Sequence, residues 1–297
     1  MLTRKTFIRQ NAITAAGMLA IPSLFANSAR KYKMGLQLYT IRDAMASDAA
    51  GTLQRIAAMG YQDTETYGFD PVIMSYYGYK AKDFQQLLKR NNLVTTSGHY
   101  DLFKYLNVPE QELLAYVDKC IEGAKILNQK YITWPWLDPA DRNMEKFKLL
   151  TAKLNLVGER VSKSGLGFAY HNHDFEFVDY NGTNGYELIL KETDARYVKL
   201  QVDLYWVCRA AATTPAELFR KQPGRFVMWH IKDMDKVSKD YTEMGNGLID
   251  YTKILPDAQL SGLEYYYIEQ GGNFRKNSMD SVQESADFFQ KNLKQLL

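Results

Sequence analysis

The chain carries four histidines, His99, His171, His173 and His230, and each ends or directly follows an apolar or β-branched run: "VTTSGH", "LGFAYHNH" and "FVMWH". Three carboxylates stand in the same relation to similar runs, Glu65 in "DTET", Asp203 in "KLQVD" and Glu269 in "YYYIE". Imidazoles and carboxylates are the side chains that hold divalent metals and move protons near neutral pH. No two of them have the local spacing of a helix- or loop-borne metal motif. Only tertiary structure can gather them.

The elements that would do so are legible. Strand-like runs fall at Met34–Thr40, Tyr61–Thr66, Val94–His99, Tyr131–Trp134, Leu166–His171, Val198–Leu204, Phe226–Ile231 and Glu264–Glu269. Helical stretches such as "AKDFQQLLKRNN" and "NMEKFKLLTAKLNLVGERVSKSG" lie between them. The repeat averages roughly 33 residues, the length of a strand plus a crossover helix. Eight such units predict a closed (β/α)8 TIM barrel forming a single α/β domain over residues 30–297. No glycine-rich phosphate loop follows the first strand, where "GLQLYTIRD" stands, so a dinucleotide fold is disfavoured.

In such a barrel the active site forms at the C-terminal ends of the strands. All four histidines sit there, which neither packing nor surface placement requires. His171 or His173, together with Asp203, His230 and Glu269, makes a mixed nitrogen and oxygen donor set, suited to one divalent ion of the Mn, Zn, Co or Fe kind.

The strings "GLQLYTIRD", "YHNHDFEF", "LQVDLYW", "HIKDMD", "MGNGLIDY" and "YIEQ", in that order, resemble the sugar phosphate isomerase/epimerase-like group of the xylose isomerase-type TIM barrels over essentially all of residues 30–297. The resemblance implies a single divalent metal held by an acid on strand five, an acid on strand six, a histidine on strand seven and a glutamate on strand eight. Asp203, His230 and Glu269 match the last three. On strand five His171 replaces the glutamate of many relatives, so His171 is the expected fourth ligand, and of the two proton-transfer glutamates of ketose 3-epimerases only Glu269 remains. Trp206 stands where two-metal relatives carry a histidine, which argues for one ion.

The implied chemistry is isomerisation or epimerisation of a sugar through an enediolate, with Glu269 or His173 moving the proton. Glu65, His99, Glu176 and Lys232 are second-rank candidates for contacts to sugar hydroxyls or for proton shuttling. Trp134, Trp136 and Trp206 are candidate platforms for a sugar ring. Two alternatives remain: a lyase or hydratase on 3-keto-glycosides with the same metal, and a carbohydrate-binding barrel without activity. An apurinic-site nuclease on this fold would need three metals and a basic face, which the sequence does not offer.

The first 29 residues read as an export signal, with Arg4, Lys5 and Arg9 ahead of the apolar segment Ala12 to Phe25, in a twin-arginine-like arrangement. The apolar stretch is short for a bilayer span, so no stable membrane insertion is expected after cleavage, and the location is periplasmic or cell-surface. A phosphorylated metabolite is then a poor substrate and an unphosphorylated sugar or glycoside a better one. Cleavage removes three of the 37 basic residues and none of the 34 acidic ones, leaving the charges equal. That balance disfavours nucleic acid as a partner. Homo-oligomerisation is left open. Cys120 and Cys208 fit no metal spacing and read as buried apolar residues.

Overall fold

Eight short runs, most of them rich in apolar and β-branched residues, bury both faces by closing on one another under a cover of helices. The computed structural model describes residues 32–297, and the expected export segment lies outside the described residues. The strands are β1 (Gly35–Gln37), β2 (Asp63–Thr66), β3 (Val94–His99), β4 (Tyr131–Trp134), β5 (Gly167–His171), β6 (Val198–Asp203), β7 (Met228–Ile231) and β8 (Tyr265–Ile268). Each pairs in parallel with its sequence neighbours, and β1 pairs with β8 to close the barrel. Every residue of β2, β4 and β7 is buried.

The covering helices are α1 (Ala49–Ala58), α2 (Ala81–Arg90), α3 (Glu110–Leu127), α4 (Met144–Lys163), α5 (Gly185–Glu192), α6 (Leu204–Ala210), α7 (Pro215–Lys221) and α8 (Ser278–Asn292). Their starts follow local rules. The Asn143 side chain accepts from Lys146 N at the head of α4, and Thr214 and Glu217 form a capping box at α7. In α2 the residues Ala81, Phe84, Leu87 and Leu88 make one buried stripe. Among the described residues no helix is long and apolar enough to cross a membrane.

Two local features differ from the sequence reading. The first strand ends at Gln37 rather than Thr40, because the Gln37 side chain accepts from Tyr39 N at 3.1 Å and turns Leu38–Ile41 into a 3-10 coil. Cys120 is buried as expected, but Cys208 lies exposed on α6. In the loop after β7, Gly245 adopts a left-handed φ (91°), whereas Gly247 is there for space: a Cβ would lie 2.0 Å from Asp233 Oδ1. Asp233 accepts from Gly245 N, Gly247 N and Ile249 N, and so folds the loop after β7.

Candidate active site

Because β-strand side chains alternate, residues two apart share a face. Gln37 and Glu65 are register partners, as are His171 and Gln201, and Asp203 and His230. The β2–β3 register shifts between Thr64 and Glu65, a bulge of the kind that re-aims a side chain. The result is a polar upper layer in the barrel, where most barrels of this type place branched apolar residues.

Glu65 is the hub of that layer. It is fully buried and accepts from Gln37 Nε2 (2.7 Å), Gln201 Nε2 (2.6 Å) and His230 Nε2 (2.6 Å), with His99 Nε2 at 3.1 Å. His99 Nε2 also donates to Gln201 Oε1 (2.7 Å). Burial by itself would raise Glu65, but the charges of His99 and His230 outweigh it and hold the carboxyl well below its usual range. The other nitrogen of His230, Nδ1, lies 2.6 Å from Glu269 Oε2. Carboxylates only accept, so an imidazole between two of them must donate from both nitrogens and is an imidazolium. Burial opposes that charge; Glu65 and Glu269 overcome it and raise His230 to about 9.

Lys232, buried two residues after His230, sets its Nζ 2.7 Å from both Asp203 Oδ2 and Glu269 Oε2. Burial pulls the lysine down, and the two carboxylates raise it further than burial lowers it. Glu269, despite its burial, lies well below the carboxylate range because of Lys232 and then His230. Asp203 responds differently: burial dominates and shifts it upward. Its surroundings nevertheless favour the carboxylate, since Oδ1 caps α6 by accepting from Tyr205 N (3.0 Å) and Trp206 N (3.3 Å), and Oδ2 faces the ammonium. The neutral partners are His171 and His173, both held well below the ordinary imidazole value, first by burial and then by neighbouring cations. Among the described residues, the Nδ1 of each is buried without a hydrogen-bond partner.

A cavity of about 480 Å³ opens onto these groups. His99, His171, His173 and Glu269 line it together with Tyr39, Tyr67, Phe103 and Trp136. No arginine or lysine is among the described residues lining it.

The expected candidates thus divide. His99, His171, His173, Asp203, His230, Lys232 and Glu269 come together, with Glu65 beneath them. Glu176 does not face substrate: it accepts from Tyr170 OH (2.6 Å) and His173 N (2.8 Å), and burial pushes it up to about 8. It fixes the turn that presents His173. Trp134 is core, fully buried with Nε1 donating to Trp136 O (2.8 Å), so Trp136 alone of that pair reaches the cavity. Trp206 packs with Tyr205 and Met234 and reaches His173 at a ring separation of 5.9 Å, behind the wall rather than on it. The sequence reading missed Gln37 and Gln201, although strand alternation from Asp203 points to Gln201. It also missed Tyr39, Tyr67 and Phe103, for which no spacing signal exists.

The donor chemistry fits a divalent cation. Oxygen and nitrogen atoms of Asp203, His230 and Glu269 lie within 4.8 Å of one another, and His171 Nε2 is 3.7 Å from Asp203 Oδ2. His230 joins such a set only by releasing Glu269 or Glu65, and Lys232 stands between the two carboxylates.

Comparison with known proteins identifies the family of the fold. The model of the xylose isomerase-like TIM barrel family matches residues 53–292. The chain belongs to that family. A sugar phosphate isomerase/epimerase from Parabacteroides distasonis superposes with a TM-score of 0.78 at 25% identity, over 93% of this chain and 99% of that one. The zinc-bound IOLI protein gives a TM-score of 0.71 at 16% identity, covering 89% and 99%. A D-allulose 3-epimerase from Methylomonas sp. gives 0.65 at 14%, covering 89% and 99%. The comparison with curated proteins finds no match.

Proposed function

We propose that this barrel is a divalent-metal-assisted isomerase or epimerase of an unphosphorylated sugar or glycoside, working at the α C–H of a carbonyl through an enediolate. One observation carries the reading. Glu269, a carboxylate held ionised by Lys232 and His230, lines the cavity beside two neutral imidazoles. Both of its neighbours contact Oε2, and among the described residues Oε1 receives no hydrogen bond. That oxygen is available to take the α proton and, as the carboxylic acid it then is, to return it at the neighbouring carbon, while neutral His173 offers a nitrogen as the alternative proton acceptor.

Asp203, His230, Glu269 and His171 would hold the metal, a reading that the zinc-bound relative supports. When bound, the ion supplies Lewis-acid polarisation of a carbonyl and its neighbouring hydroxyl. The aromatic wall of Tyr39, Tyr67, Phe103 and Trp136 offers faces for the C–H side of a ring and excludes water from the reacting carbon. A wall without arginine or lysine supports an unphosphorylated substrate, and the export signal read at residues 1–29 supports a periplasmic or cell-surface location.

A 3-keto-glycoside lyase is the second reading. It is favoured by His171 standing where a second proton-transfer glutamate would complete an epimerase pair.

The test is proton exchange in deuterated water with added Mn²⁺, over a panel of ketoses and 3-keto-glucosides, read by NMR and mass. Deuterium should enter the α position, and Glu269→Gln should slow its entry roughly 100-fold or more. Mass is conserved for an isomerase, whereas release of an aglycone selects the lyase. No exchange into any sugar, with Glu269→Gln indistinguishable from wild type, would leave the carbohydrate-binding barrel in place of the enzyme.

A further inference from the structure

Lys232 is held with more constraint than a substrate-binding lysine needs. Its backbone is clamped by one hydroxyl: Tyr251 OH accepts from Lys232 N (3.0 Å) and donates to Lys232 O (2.5 Å). Its stem is buried, and Nζ is equidistant, at 2.7 Å, from Asp203 Oδ2 and Glu269 Oε2. These are the two carboxylates that the donor set offers to a metal. A compact ammonium and a divalent ion bridging the same oxygens would repel strongly at this separation and low local dielectric. Both cannot hold that position.

We propose that Lys232 is a built-in counter-cation, whose ammonium holds the place of a divalent ion between Asp203 and Glu269 and so sets how readily the barrel takes metal. The inference rests on the metal reading above and adds a specific competitor to it. It gives two adjacent buried carboxylates a charge partner within the chain: a buried charge is tolerated when paired, and removing its partner is costly. It also gives the displaced ammonium a destination within reach of its fixed stem, the face of Tyr241, whose ring centre lies 5.6 Å from Nζ.

The experiment compares the full exported chain, wild type, Lys232→Met and Lys232→Gln, titrated with MnCl2 alone. Binding is followed by calorimetry and by the shift in melting temperature. Lys232→Met keeps length and stem but removes the charge; Lys232→Gln is the second variant if the first does not fold. Without metal the variants should melt lower than wild type. Mn²⁺ should restore them and bind about tenfold or more tighter than to wild type, because the ion now supplies the missing cation.

Equal affinity in wild type and variants, or equal melting shifts, overturns the counter-cation role while leaving a metal enzyme intact. A failure of Mn²⁺ to bind any of the three proteins, together with sugar proton exchange insensitive to chelators, overturns the metal reading and the inference with it. A structure of Mn²⁺-soaked wild type with Nζ still on both carboxylates also overturns the inference.

Discussion

Glu176 and Glu269 are the same residue type, and both are buried near the mouth of the barrel, yet burial wins at one and loses at the other. Glu176 has a phenol and a backbone amide for partners and rises to about 8; Glu269 has an ammonium and an imidazolium and stays ionised. Partner charge, not exposure, separates the loop anchor from the proton carrier. The same logic makes Glu65 testable. Glu65→Gln keeps the shape of the hub but takes one of two anions from His230, so its pKa should fall from about 9 toward 6.5 in an NMR titration of the ring. A folded value raised above the unfolded one stabilises fully below pH 6.5 and loses that contribution as pH passes 9. The variant should therefore lose its stability relative to wild type mainly in the acidic and neutral range, by roughly 3–5 kcal/mol for a broken buried pair. An unchanged His230 titration would show that Glu269 alone holds the charge.

Among the elements, the short parallel strands leave no slack at their N-terminal ends. A Cβ on Gly35 would lie 2.3 Å from Tyr266 O, a backbone atom of the neighbouring strand, so the contact can be relieved only by moving the ladder. Gly35→Ala should cost roughly 1–3 kcal/mol of overpacking strain, read as a lower urea midpoint at unchanged slope. A neutral outcome would mean that β1 shifts against β8 without penalty. The bulge in β2 and the Gln37-capped coil after β1 act on function as well: one presents Glu65 to four donors, and the other carries Tyr39 to the rim.

Over the whole molecule, the barrel has a second buried carboxylate layer below the site. Asp63 accepts from Thr64 N (2.8 Å) and Thr96 N (3.0 Å), while Thr96 Oγ1 lies 2.5 Å from both Asp63 Oδ2 and Tyr267 OH. Burial outweighs these bonds and raises Asp63 to about 7 from 3.8. A folded pKa above the unfolded one means that the stability present below pH 3.8 is lost as pH rises through 7. Three units correspond to a limit of order 4 kcal/mol. Asp63→Asn should therefore gain on wild type between pH 5 and 7.5 in urea unfolding. Parallel pH profiles for the two proteins would show that Asp63 is already ionised at low pH, with the hydroxyls absorbing its charge.

The sequence by itself determined the eight strands, the alternating helices and the clustering of histidines and acids at strand ends, because most of the strands are runs rich in apolar and β-branched residues recurring at a regular period, and a barrel's chemistry sits where they stop. From that, His99, His171, His173, Asp203, His230, Lys232 and Glu269 could be named before any coordinate. Only the tertiary structure decided what each of them touches. Glu176 and Glu269 look alike in sequence, as do Trp134 and Trp136, and which of each pair reaches the cavity depends on loop direction after the strand. The Lys232 bridge and the Glu65 hub join residues between 28 and 165 positions apart. Such contacts carry no local signal, since their energy comes from desolvated charges meeting across the barrel rather than from propensity along the chain.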